Sequence, residues 1–87
     1  MFNLANYEKE IRDMAQANNV VPVKALEMFV LNLTVMKPHY SKGTGDVNFR
    51  AEGQKWNELT SVERNTQRTA MLDVLTKTSR ARPATRD

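Results

Sequence analysis

Residues 22–37 read PVKALEMFVLNLTVMK, the most apolar run in the chain. At helical spacing Val23, Ala25, Leu26, Met28, Phe29, Val30, Leu31, Leu33, Val35 and Met36 cover nearly the whole circumference. Only Lys24, Glu27, Asn32 and Thr34 interrupt them. A helix that is apolar on every side is one that neighbours touch on several sides. This segment is therefore expected to be the central helix of a small bundle. Pro22 suits its first position, where the missing amide hydrogen has no intrahelical partner to lose. Pro38 closes it, because the residue before a proline is pushed out of the helical region.

The flanking segments supply the packing partners. Leu4, Tyr7, Ile11, Met14 and Ala15 recur at three- and four-residue steps and predict a first helix from Leu4 to Asn18. Asn3 is its N-cap, and Asn18-Asn19 its stop, since Asn tolerates the left-handed conformation that ends helices. Pro38 to Asp46 (PHYSKGTGD) reads as a long, potentially mobile loop. A third helix, capped by Asp46 or Asn48, brings Phe49, Trp56 and Leu59 to one face. Gly53 in its middle costs about 1 kcal/mol against alanine unless another helix must approach closely. Thr60-Ser61-Val62-Glu63 is a capping box and opens a fourth helix. The first half of that helix, ERNTQRT, is polar and poor in anchors, and its second half, AMLDVL, is where it should pack.

The expected fold class is thus all-α: a three- to four-helix bundle over residues 1–76, followed by a basic, flexible tail over residues 77–87. Charge divides the same way. Of the net charge of +3, all the excess lies in the tail, where Lys77, Arg80, Arg82 and Arg86 stand against Asp87, leaving nine basic and nine acidic groups elsewhere. With 87 residues and no cysteine, neither disulfides nor a cysteine-based zinc site can supplement the core. The first residues lack the basic start and apolar middle of a secretory signal. The 17 apolar-rich residues from Val20 to Met36 carry Lys24, Glu27 and Asn32. A charge at a membrane centre costs about 2.5–3.5 kcal/mol, so a buried helix is the preferred reading and no membrane partner is expected.

Catalytic signatures are absent from this pattern. The single histidine, His39, sits on a glycine-containing loop with no nucleophile and acid held around it. In Ser41-Lys42-Gly43-Thr44-Gly45-Asp46 the lysine precedes the glycines, which fails the phosphate-loop order. One histidine and scattered carboxylates make no metal-ligand set. No enzyme, cofactor, metal or small-molecule substrate is expected. Residues 11–31 have the spacing of a helix-turn-helix. Its second helix, however, would offer a DNA groove mainly Lys24, Glu27 and Asn32, so a core role fits it better.

Two binding roles remain. The leading one is a non-enzymatic protein-binding module, self-associating or docking on a larger assembly. Met28, Phe29, Met36 and Trp56 are the candidate interface, because methionine adapts to partners and tryptophan is favoured at hot spots. The alternative is nucleic-acid binding, with Arg64, Arg68, Lys77, Arg80, Arg82 and Arg86 as contacts to phosphates or to an acidic partner. A cytoplasmic protein, or a small accessory or structural component of a phage or viral particle, is compatible with this composition. The core reading makes one sharp claim. Phe29→Ala should cost about 3–5 kcal/mol in a urea melt, and a loss under about 1 kcal/mol would move Phe29 from the core to the partner surface.

Overall fold

The four helix starts expected from the sequence are all present in the computed structural model, which describes the backbone of residues 1–81 and the side chains of residues 1–77. These residues form four α-helices: α1 (Glu8–Ala17), α2 (Pro22–Thr34), α3 (Phe49–Glu58) and α4 (Ser61–Ala81). No β-strand occurs among the described residues, and none of their helices is long and apolar enough to cross a membrane. The Asn3 side chain accepts the Ala5 amide, as a cap should. The first turn after it, Leu4–Tyr7, is a tighter 3-10 turn that leads into α1.

Both α1 and α2 end in the same way. Asn19 is left-handed at φ 56°, the Val20 amide donates to the Ala15 carbonyl at 2.9 Å, and the Asn19 amide donates to Gln16. At the end of α2 it is Met36 that is left-handed, at φ 51°, with the Lys37 amide donating to Asn32 at 3.0 Å. A non-glycine residue in that conformation costs roughly 1–2 kcal/mol. Tertiary contacts offset the cost: Met36 lies over Gly53, and the Asn57 side-chain amide donates to the Thr34 carbonyl at 3.2 Å. The helix therefore stops at Thr34, before Pro38 can act.

Gly53 is the point of closest approach between α2 and α3. A Cβ there would overlap the Leu33 carbonyl oxygen and lie 2.8 Å from the Met36 side chain. Around this contact Ala25, Leu26, Phe29 and Leu33 turn inward. Phe29 meets Phe49 edge-on at 5.1 Å and Tyr7 at 5.5 Å, and Phe2 meets Trp56 edge-on at 5.6 Å. Such pairs add about 0.5–1.5 kcal/mol each beyond their buried area. Phe29 and Trp56 are fully buried. Both belong to the core, not to the surface on which a partner would dock.

The Pro38–Asp46 loop makes specific contacts with α1 and within itself. Gly43, left-handed at φ +88°, sits so close to α1 that an added Cβ would be 2.7 Å from the Met14 Cα. Thr44 is fully buried, its hydroxyl donating to the Ser41 carbonyl at 2.7 Å. The loop is seated by its own backbone polar groups.

The capping box forms as expected. The Glu63 amide donates to the Thr60 hydroxyl at 3.1 Å, and the Thr60 amide donates to Glu63 at 3.0 Å. In the second half of α4, Met71 and Leu75 are buried, while Leu72 and Val74 flank them in solvent. The helix continues to Ala81, past the expected tail boundary at residue 77. No glycine or proline interrupts the sequence there until Pro83. The rest of the tail, with Arg82 and Arg86, lies outside the described residues, as does the Arg80 side chain.

Gly53→Ala tests the α2–α3 approach. Helix propensity alone would favour alanine by about 1 kcal/mol. Overlap with the Leu33 carbonyl should outweigh this and leave a net loss of about 1–2 kcal/mol in chemical denaturation. A stabilised variant would show that the two backbones are not in contact.

Candidate functional site

The burial of one side of α2 determines what its other side presents. With Ala25, Leu26, Phe29 and Leu33 inside, an arc comprising Val23, Lys24, Glu27, Leu31, Thr34 and Val35 faces solvent. Leu31 is 60% exposed and Val35 58%, one helical turn apart. Isolated surface aliphatics need no explanation, whereas Val23, Leu31 and Val35 share one outward face. Of the four expected interface residues, Met36 is exposed and Met28 half-buried at the edge of this ridge, whereas Phe29 and Trp56 are in the core.

A groove runs along each side of the ridge. The first, about 370 Å³, lies between α2, α1 and the loop, with Met14, Met28 and Leu31 as its apolar lining and Lys37 and Lys42 as its charged groups. The second, about 280 Å³, lies between α2 and α4, with Val23 and Leu72 as apolar lining and Glu27 and Arg68 of opposite charge. The first groove is built on hydrogen bonds. Asn18 Nδ2 donates to the Met14 carbonyl at 2.9 Å and to the Lys42 carbonyl at 3.1 Å, and Asn32 Nδ2 donates to the Ser41 hydroxyl at 2.8 Å.

Of the expected cationic residues, Arg64 and Arg68 line one concavity together with Ser61 and Asn65, and Lys77 lies further along α4. Arg64 turns back to the end of α3, where Nη1 donates to the Leu59 carbonyl. Lys77 pairs with Asp73 at 3.3 Å on the same helix. Arg68 is exposed on the rim of the second groove, beside Asn65 and Thr69. His39 is an exposed loop residue beside Pro38 and Tyr40.

Sequence reasoning had no means to see the first groove as a unit, because Asn18, Leu31, Asn32 and Lys42 come from three separate segments. It also missed the polar anchor of α4. Gln67 Oε1 accepts the Leu4 amide at 2.8 Å, and its Nε2 donates to the Phe2 carbonyl at 2.9 Å. This clamp seats the N-terminal segment over the aromatic cluster. Beside it opens a third concavity, of about 550 Å³, with Tyr7, Glu52, Glu58 and Glu63 among its walls. Burial first, and the neighbouring Glu52 carboxylate second, push the Tyr7 phenol up to about 12 from its ordinary 10.0.

A raised phenol pKa stabilises the fold while the unfolded chain keeps its proton. The contribution is complete below pH 10 and is lost as pH rises towards 12. In a Tyr40→Phe background the tyrosinate absorbance should titrate with a midpoint near 12, and Glu52→Gln should lower it. A midpoint unmoved by Glu52→Gln would remove the carboxylate's share. Comparison with known protein families, with curated proteins and with solved structures finds no match to this chain.

Proposed function

We infer that this protein is a non-enzymatic protein-binding module whose contact surface is the outward ridge of α2. The observation that carries the reading is the pair Leu31 and Val35, both more than half exposed on the helix whose other face forms the core. Among the described residues, α2 is covered by α1, α3 and part of α4, which leaves this ridge in solvent. In this reading the four helices act as a small bundle that presents α2, and residues 77–87 form a basic extension. The partner is a second copy of the chain or a larger protein assembly. The protein would work in the cytoplasm or as a component of a phage or viral particle, a reading that rests on composition.

The nucleic-acid alternative has narrower support. Arg68 and Asn65 are exposed on the polar half of α4, but Arg64 and Lys77 are engaged within the chain. Each phosphate contact steepens the salt dependence of binding by nearly one unit in a log–log plot. Among the described residues, Arg68 is then the one expected cation on α4 left exposed without a partner of its own, which is a small footprint; Arg82, Arg86 and the Arg80 side chain lie outside them.

Site-specific photocrosslinking separates these readings. A benzoylphenylalanine at Leu31 or Val35 should give protein adducts in the cell of origin, and one at Thr66 on α4 should not. A doubling of the 10.0 kDa chain mass would identify a second copy. Protein adducts absent at both ridge positions would count against the module. Nucleic-acid adducts at Thr66 would instead promote the alternative.

A further inference from the structure

The groove between α2, α1 and the loop has a one-sided chemistry. Its lining includes no acid, and its two charges are Lys37 and Lys42. Asp13, next to Met14 on α1, is held by Lys9 at 2.6 Å. The polar amides of the lining are already occupied, Asn18 by the Met14 and Lys42 carbonyls and Asn32 by Ser41. What remains for recognition is an apolar floor of half-buried Met28 and exposed Leu31 over the buried Met14, with Lys37 and Lys42 in the lining. The groove across the ridge carries both Glu27 and Arg68 and so has no such preference of sign.

Resting on the reading of α2 as a protein-binding surface, we propose that its partner is an amphipathic helix with acidic residues along one edge. Its Leu-, Met- or Phe-sized anchors fill the Met14–Met28–Leu31 floor, and its carboxylates meet Lys37 and Lys42. An amphipathic helix laid in an apolar groove is read by anchors at i, i+3, i+4 and i+7. Met28, half-buried and unbranched, lets the floor conform to anchors of different shape. The walls need little ordering on binding. Gly43 is seated on the α1 backbone, and Thr44 is fully buried behind it. A preformed site keeps more of its contact energy as affinity. Opposite charge at the rim steers the encounter and rejects basic helices. A nucleic-acid strand fits this groove poorly, because its floor is aliphatic and includes no aromatic side chain on which a base could stack.

The probe is a displayed library of four-turn helical peptides. It carries Leu, Met or Phe at the anchor positions and Glu, Gln or Lys at the flanks, and is selected against the full chain. Glu-flanked peptides should dominate, and should shift the amide resonances of Met28, Leu31, Lys37 and Lys42. Lys37→Glu combined with Lys42→Glu should weaken them at least tenfold and favour Lys-flanked peptides, with an unchanged thermal melt. Selection of uncharged or Lys-flanked peptides that still shift Leu31 and Val35 would overturn the acidic partner and leave the protein-binding reading standing. Peptides that shift only Val62 and Val74 would overturn both. No enrichment of any peptide would overturn the proposal, as would a reversible dimer abolished by the Lys37→Glu and Lys42→Glu pair.

Discussion

At Gly53 the backbone of α3 lies directly against the backbone of α2, with the Leu33 carbonyl where a side chain would otherwise stand. Much of the fold follows from this approach. It brings Asn57 within reach of the Leu33 and Thr34 carbonyls, so the exposed end of α2 finds donors on α3. It places Met36 over the same glycine and so supports a left-handed turn that methionine would not adopt unaided. The stacked backbones also set Phe29 and Phe49 edge to face, and the aromatic cluster grows from that pair. Glycine's low helix propensity is the smaller cost, because any larger residue would separate the two helices that bury Phe29, Leu33, Phe49 and Trp56.

Ion pairs contribute little to this arrangement. The five among the described residues all join positions three or four apart on one helix, from Lys9–Asp13 to Lys77–Asp73. Pairs of that kind stabilise a helix by a few tenths of a kcal/mol and tie no two elements together. The long-range polar ties come from amides. Gln67 holds the backbone of Phe2 and Leu4, Asn57 holds the end of α2, and Asn18 holds the loop at Lys42. The Gln67 bonds close part-buried backbone groups of Phe2 and Leu4, which would cost about 1–3 kcal/mol each if left unpaired. The Asn57 tie to Thr34 and the Asn18 tie to Lys42 are exposed and worth less. High salt should therefore leave the packing nearly untouched while it screens the exposed charges.

The helices were legible in the sequence because their signals are local. Asn3, Pro22, Asn48 and the Thr60–Glu63 box act within one turn of themselves, and periodicity brought Phe49 and Trp56 to one face of α3. The amide ties were not legible, because nothing about Gln67 as a sequence position says that Leu4, 63 residues away, will meet it. The same holds for the loop: its glycines announce flexibility, and only the surface of α1 shows that Gly43 is there to fit against Met14. Apolar coverage of α2 was legible as a total, but not which residues the neighbours would leave out. Met28, Phe29, Met36 and Trp56 were therefore grouped together although the fold separates them, and Leu31 and Val35, the most exposed of the α2 aliphatics, were not among them.

That separation decides where binding can be sought. A core aromatic cannot be both the centre of the packing and the anchor of a partner, because its exposure would remove the contacts that hold α2 in place. Leu31 and Val35 are free of this conflict, because truncating side chains more than half exposed opens no cavity in the core. The cations sort in the same way. Arg64 is bound to the end of α3 and cannot leave without stranding a carbonyl, whereas Lys37 and Lys42 edge the groove next to Leu31. Exposed aliphatics and two lysines thus lie side by side at one edge of α2, and on the rest of its ridge Lys24 and Glu27 are paired. A partner that matched only the apolar part would leave two ammonium groups facing its backbone or side chains. Covering them with carboxylates gives the partner a reason to prefer this edge of the helix and a fixed direction along it.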